Sequence, residues 1–258
     1  MLLLHNSGSG LDLARNANVA ALRYKKWKSG HKQPMVKGDP LKVFVNWGIR
    51  AGGVRAILPY AIRVAGEKPV LNADNELAVS KVKSYIAFKE AGIDCPRLFD
   101  SADAATNSGV AFLGRADGLH SGMGIAQYSA GAVPDKHDFY VEALTRRHEL
   151  RIHVFCDTVL VTQYKKVAPG GGLIGNYQFG ARYLIWPLAG YLGPKTTAKA
   201  TEAALLAVKA LNLDFGAVDL MVTEDKRIVV LEVNTAPGIG SEGLMKAYTD
   251  TLNMVRLP

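Results

Sequence analysis

Phe215–Gly238 reads FGAVDLMVTEDKRIVVLEVNTAPG. Two apolar runs, Ala217–Val222 and Ile228–Val233, flank a charged segment, Thr223–Arg227, and this pattern predicts a β-hairpin. Each run is interrupted by one acid, Asp219 in the first and Glu232 in the second. A turn centred on Asp225-Lys226 sets Asp219 opposite Glu232, and strand alternation puts Asn234 on the face of Glu232. Directly opposed carboxylates destabilise a sheet, and burying them is worse unless something positive compensates. A hard divalent cation does so, because Mg²⁺ favours one or two carboxylates plus the phosphates of a substrate. The competing reading is an amphipathic hairpin with both acids in water. The interruption of otherwise continuous apolar runs favours the metal.

The segment VDLMV…VVLEVNTAPG resembles the closing motif of the ATP-grasp superfamily. The resemblance implies Asp219, Glu232 and Asn234 as ligands holding Mg²⁺, or Mn²⁺, against the phosphates of ATP. Pro237-Gly238 follows as the family pattern expects.

Upstream segments extend the resemblance in order. LAVSKVKSYIAFKEAGIDCPRLF, starting at Leu77, has helical spacing from Asn75 to Ala91, with Asp74 suited to cap it and Gly92 to end it. It is similar to the family segment whose early Lys reaches the ATP phosphates, and Lys81 takes that place, although Ser80 stands where the family usually has an acid. Gly109–Gly114 reads as a strand. Arg115 follows it, where the family has Lys or Arg, and then a Gly-rich loop with Ser121, Gly122 and Gly124. Glycines let backbone N–H groups approach anionic oxygens. Asp138–Ala143 reads as a strand and hinge, and Glu142, Ala143 and Leu144 fall where the family meets adenine and ribose.

Glu149–Phe155, ELRIHVF, alternates as a half-buried strand and resembles a strand of RimK-like and related phage ATP-grasp proteins. Its Glu149 and Arg151 share a face and could simply pair. Arg151 or Arg182 is the candidate to stabilise a tetrahedral intermediate. Lys165 and Lys166 fall where substrate-facing basic residues often occur. The loop Ala168–Gly175, with Asn176 beyond it, is a candidate substrate-facing segment. An Ala-rich helix, Thr196–Leu211, and a final helix, Leu244–Asn253, flank the hairpin.

The N-terminal 71 residues read as a separate unit. Leu2–Leu4 and Leu41–Trp47 suggest strands, Leu11–Trp27 has mixed helical periodicity, and Ile49–Val64 suggests a loop and a short helix. Gly8–Gly10 lacks the spacing of a dinucleotide or P-loop site. The unit resembles a shortened Rossmann-like lobe.

The chain has 258 residues, 48% hydrophobic and 21% charged, which suits one large domain or two small ones. No apolar run approaches the roughly 20 residues of a membrane span, and the apolar start ends at His5, too short for a signal-peptide core. A cytoplasmic protein is expected. Cys95 and Cys156 lack CxxC spacing and read as reduced thiols. No HxH or HExxH spacing and no Ser/His/Asp or Cys/His arrangement is present. The net charge is +8. Much of the excess lies between Asp12 and Asp39, with Tyr24 and Trp27 interleaved, which suits an acidic substrate, a solvated face or a nucleic acid. No nucleic-acid recognition motif accompanies it.

The expected fold is α+β, an ATP-grasp fold whose two subdomains clamp ATP behind the reduced lobe. Residues 1–71 form the lobe and 72–258 the ATP-grasp domain, divided into a lid at about 97–140 and a metal-binding part at 141–258. The resemblance implies a carboxylate–amine ligase acting through an acylphosphate on small-molecule or peptide substrates. The alternatives are an ATP-grasp phosphotransferase, a basic nucleic-acid-binding protein with a degenerate ATP site, or a modifier that adds amino acids to an acidic protein tail.

Overall fold

The computed structural model describes residues 2–5, 7–30, 35–36, 43–117, 124–166, 182–185 and 188–254. Within them the strands form three sheets. Strands β1 (Leu2–His5), β2 (Ala21–Arg23), β3 (Met35–Val36), β4 (Phe44–Trp47) and β5 (Val70–Leu71) make the first, in the order β3-β2-β1-β4-β5. All its pairings are parallel except β2 with β3. Helices α1 (Gly8–Asn16), α2 (Tyr24–Lys28) and α3 (Ala51–Ala65) belong to this unit.

Two expectations for this unit are corrected. The helical periodicity over 11–27 conceals a three-residue strand, β2, between two helices. The region after Ile49 is a 15-residue helix despite Pro59 in its interior. Ala51, Val54, Ile57 and Ala61 form a buried stripe on α3, of which Val54, Ile57 and Ala61 pack with Leu4, Leu22 and Phe44, and this burial outweighs the hydrogen bond that proline removes.

Helices α4 (Glu76–Val79) and α5 (Lys81–Glu90) follow. The sequence suggests one continuous helix here, but Ser80 is extended (φ −102°, ψ 125°) and breaks it. The Ser80 hydroxyl accepts from the Lys83 N–H at 3.3 Å and caps α5. Gly92 ends α5 as expected, at φ 70°, with Ile93 N–H bonded to the Phe88 carbonyl.

The second sheet is antiparallel, β6-β9-β7-β8, from β6 (Leu98–Phe99), β7 (Phe112–Arg115), β8 (Ile125–Tyr128) and β9 (Phe139–Glu142), with α6 (Ala102–Thr106) against it. The third sheet is antiparallel and ordered β12-β11-β10-β13-β14. Its strands are β10 (Arg146–Phe155), β11 (Thr158–Lys166), β12 (Arg182–Ile185), β13 (Phe215–Thr223) and β14 (Ile228–Asn234). Helices α7 (Leu188–Leu192), α8 (Pro194–Ala210) and α9 (Glu242–Met254) complete the chain. Helix α8 starts two residues before the expected Thr196, because Pro194 suits the first helical position.

The two faces of the third sheet differ. Leu150, Ile152, Val154, Val218, Leu220, Val222, Val230 and Val233 pack against Ala200, Ala204, Ala207, Val208 and Leu211 of the α8 segment. Each such fully buried Val or Leu contributes roughly 1.5–3 kcal/mol. Alternation sends Glu149, Arg151, His153, Gln163, Asp219, Glu232 and Asn234 to the opposite face.

The first unit docks on the third sheet through an aromatic cluster and a polar clamp. Trp47 stacks on Phe215 at 5.4 Å and meets Tyr248 edge-on at 5.3 Å. The buried Asn72 amide donates to the Phe215 carbonyl and accepts from the N–H groups of Asp214 and Phe215. Gly48, at φ 76°, lies so close to Ala236 that an added Cβ would come within 2.5 Å of the alanine Cβ. The end of β4 therefore abuts the chain leaving Asn234. Among the described residues no helix is long and apolar enough to cross a membrane.

Candidate active site

The hairpin sets Asp219 opposite Glu232. It does so by two offsets that the simple symmetric reading does not contain. Near the turn the pairing is centred on Asp225: Val222 faces Ile228, and Leu220 faces Val230. The turn is a three-residue connection, with Lys226 N–H bonded to the Thr223 carbonyl and Lys226 in the left-handed region at φ 67°. Leu231 then bulges out of the ladder, and beyond it Asp219 faces Glu232 and Ala217 faces Asn234. Without the bulge Glu232 and Asn234 would turn toward α8.

The cross-strand rows on this face can be read from β12 to β14. One row is Tyr183, Lys165, Glu149, Met221 and Val229. The next is Ile185, Gln163, Arg151, Asp219 and Glu232. The third contains Val161, His153, Ala217 and Asn234.

Arg151 does not pair with Glu149. Its Nε and Nη2 donate to the two Asp219 oxygens at 2.6 and 2.7 Å, a bidentate pair. Burial alone would lower the Arg151 pKa, but the Asp219 carboxylate raises it above the ordinary arginine value, so the guanidinium stays charged. Tyr183 covers the guanidinium at 4.2 Å. Burial and the nearby Asp219 raise the Tyr183 phenol well above the tyrosine range. Glu149 instead bonds Lys165 and Arg146. Burial pushes the Glu149 carboxyl up, and the charge of Lys165 pulls it back.

Asn234 Nδ2 lies 3.4 Å from Asp219 Oδ2 and 3.3 Å from Glu232 Oε1. Lys81 Nζ lies 3.4 Å from Glu232 Oε2. The break at Ser80 places Lys81 at the start of α5. Asp117, at the end of the β7 segment, accepts from the Lys81 N–H and the Ser80 hydroxyl, which ties the second sheet to this helix end. One turn along α5, buried Tyr85 lies 3.5 Å from Arg115 Nη1. Burial pushes Tyr85 up to about 12, against the pull of Arg115. Tyr85 connects Arg115 to the Glu232 side of the cleft.

Leu144 is buried beside Met221 and Val229, with Leu231 packed against them. The bulge thus places an apolar shelf next to the hinge. Arg227 reaches Glu142 at 3.6 Å and Asp94 at 3.7 Å, fixing the hinge to the hairpin. Ala143 N–H bonds the Ala111 carbonyl. Gly124, at φ 66°, receives the Ala116 N–H and closes the base of the Gly-rich loop. Ser121 and Gly122, the loop Ala168–Gly175 and Asn176 lie outside the described residues. Arg182 is exposed and opposite Lys166, on the face away from Arg151, so the sheet does not bring it to this row.

Lys81, Arg115, Arg151, Asp219, Glu232 and Asn234 therefore converge between the second and third sheets. Among the described residues no group of three or more His, Cys, Asp or Glu converges. Two carboxylates that share the Asn234 amide, whose oxygen a rotation of the side chain would turn toward them, supply oxygen donors that fit a hard divalent cation.

A family model described as D-ala D-ala ligase C-terminus matches residues 119–251. No curated protein matches the chain in sequence. Among solved structures, the ATP-grasp ligase PsnB complexed with minimal precursor is 13% identical with a TM-score of 0.66, covering 98% of this chain and 99% of that one. D-alanine–D-alanine ligase from Bacillus anthracis complexed with ATP is 16% identical at a TM-score of 0.62, covering 99% and 97%. The macrocyclase MdnC from Microcystis aeruginosa MRC, bound with precursor peptide MdnA, is 15% identical at 0.58, covering 98% and 99%. At these identities the structural likeness establishes the fold, and the family model covers more than half of the sequence. The chain belongs to the D-ala D-ala ligase C-terminus family and has the fold of the ATP-grasp ligases.

Proposed function

We propose that this protein is an ATP-dependent ligase that joins a carboxylate to an amine, each carried by an amino acid or a peptide. The observation that carries the reading is the convergence of Lys81 and Arg115 with Asp219, Glu232 and Asn234 across the cleft between two sheets. In this reading the shelf of Leu144, Met221, Val229 and Leu231 supports the adenine, and the hinge at Glu142–Leu144 meets the base and ribose. Lys81 and Arg115 neutralise phosphate oxygens. Asp219, Glu232 and Asn234 would hold Mg²⁺ or Mn²⁺, which would neutralise charge on the nucleotide phosphates.

The substrate carboxylate attacks the γ-phosphorus, the bond to the β-phosphate oxygen breaks, and ADP leaves an acylphosphate. The amine then attacks the acyl carbon. Arg151, in the same cross-strand row as Asp219 and Glu232, is placed to stabilise the oxyanion of that tetrahedral intermediate. Collapse expels phosphate and leaves an amide. The site supplies positioning and electrostatics, as in other phosphoryl transfers, and needs no covalent protein nucleophile.

Calorimetric titration of ATP with Mg²⁺ tests the nucleotide site. Wild type should bind, and a Glu232→Ala/Asn234→Ala double variant should lose roughly tenfold or more in affinity. ADP release screened over amino acids and short peptides should then depend on both a carboxylate and an amine. A folded wild type that binds no nucleotide would overturn the reading, and ADP release that needs no amine would replace it with phosphotransfer.

A further inference from the structure

Asp219 is almost fully buried and faces Glu232 directly across β13 and β14. A buried carboxylate facing a second, part-exposed one needs a compensating charge, and the protein already carries it. Asp219 Oδ1 accepts from Arg151 Nε, and Oδ2 accepts from Arg151 Nη2 and Asn234 Nδ2. Glu232 Oε1 accepts from Asn234 Nδ2, and Oε2 pairs with Lys81. Every carboxylate oxygen of the pair is therefore engaged. Asn234 turns its amide nitrogen, not its oxygen, toward the acids.

We propose that Arg151 and Lys81 are built-in counter-cations that hold this seat closed to a free divalent ion, so that metal enters together with nucleotide phosphates. This rests on the ligase reading, which supplies those phosphates. A dissolved ion must displace partners tethered to the same chain, whose effective concentration far exceeds its own. A polyphosphate changes the competition, because it offers the displaced ammonium and guanidinium a new anionic partner. Asn234 can then rotate and present its oxygen. Arg151 thus acts as a positioning residue in the resting protein: it fixes the Asp219 rotamer by two hydrogen bonds while Tyr183 stacks on its guanidinium.

Mn²⁺ binding followed by electron paramagnetic resonance, with and without ADP, tests the proposal. Wild type should take up free Mn²⁺ weakly and bind it strongly once ADP is present. Arg151→Gln should bind free Mn²⁺ roughly tenfold more tightly, and the gain from ADP should shrink correspondingly, since such coupling is reciprocal. Lys81→Met should shift binding in the same direction and leaves the Arg151–Asp219 pair intact, so it decides the matter if Arg151→Gln does not fold. Adding Glu232→Gln to either variant should abolish its gain. Unchanged or weaker free-ion binding in the folded variants, or a gain that survives Glu232→Gln, overturns the proposal. A wild type that binds no Mn²⁺ even with ADP or ATP would instead remove the ligase reading beneath it.

Discussion

At the residue scale, His153 shows how burial sets a protonation state. Its Nε2–H donates to Gln163 Oε1 and its Nδ1 accepts from the Tyr248 hydroxyl, both at 2.9 Å. Burial, with a smaller push from Arg151, lowers its pKa from 6.5 to about 4. The unfolded chain therefore binds a proton near pH 6.5 that the folded protein refuses until about pH 4. Stability from this residue is complete above pH 6.5 and declines as the pH falls toward 4, by on the order of 3 kcal/mol. Urea midpoints measured from pH 7.5 to 4 should fall along this limb, and His153→Gln should flatten it. An unchanged slope in the variant would show that other groups carry the acid sensitivity. The sequence presents His153 only as an alternating strand position. Burial is what lowers its pKa, and helix α9 packs Tyr248 against the ring from 95 residues away.

At the scale of elements, one extra residue decides whether the site exists. The three-residue turn alone would pair Asp219 with Leu231 and put Glu232 on the α8 face. The bulge at Leu231 restores the favourable register and leaves its side chain beside Met221 and Val229. Deleting Leu231 should remove the bulge but keep Asp219 opposite Glu232, so ATP binding should persist, weakened by the lost shelf. Inserting one alanine after Leu231 should be absorbed by loss of the bulge, setting Leu231 against Asp219 and Glu232 against Ala217, on the same face but two residues out of place. That separates Glu232 and Asn234 from Asp219 while the core pattern is kept, so the fold should persist and ATP binding should be abolished. Calorimetry and thermal melts on both variants check this pair of outcomes, and equal binding by the two would refute the register argument. The break at Ser80 has the same character. Helical periodicity runs through it, and only the Ser80 and Asp117 contacts show that α5 begins at Lys81.

At the scale of the whole molecule, the first unit is tied to the third sheet by a few buried groups. Asn72 makes three side-chain hydrogen bonds to Asp214 and Phe215 and adopts φ 53°, a conformation asparagine tolerates better than most residues. Asn72→Ala leaves buried backbone donors and a carbonyl without partners and should destabilise the protein by roughly 2–4 kcal/mol. Limited proteolysis should then release the first 71 residues ahead of the rest. Cooperative loss of both parts together would show that the aromatic contact of Trp47 with Phe215 and Tyr248 suffices to couple them.

The sequence by itself determined the hairpin, the acids set into its two apolar runs, and the approximate extent of most long elements; that Asp219 meets Glu232 depends on the bulge at Leu231. Alternation, helical spacing and turn residues are local, and charge set into an apolar run is conspicuous in one dimension. The tertiary structure decided what those residues meet. Arg151 takes Asp219 rather than Glu149 because the ladder between β10 and β13 places them opposite each other. Tyr85, Tyr183 and Asp117 join the site through strands and helices far apart in the chain, and Arg182 leaves it because β12 presents that position to the other face. Sheet pairing converts a one-residue offset into a change of face, and that offset is set by bulges and turns that periodicity does not record.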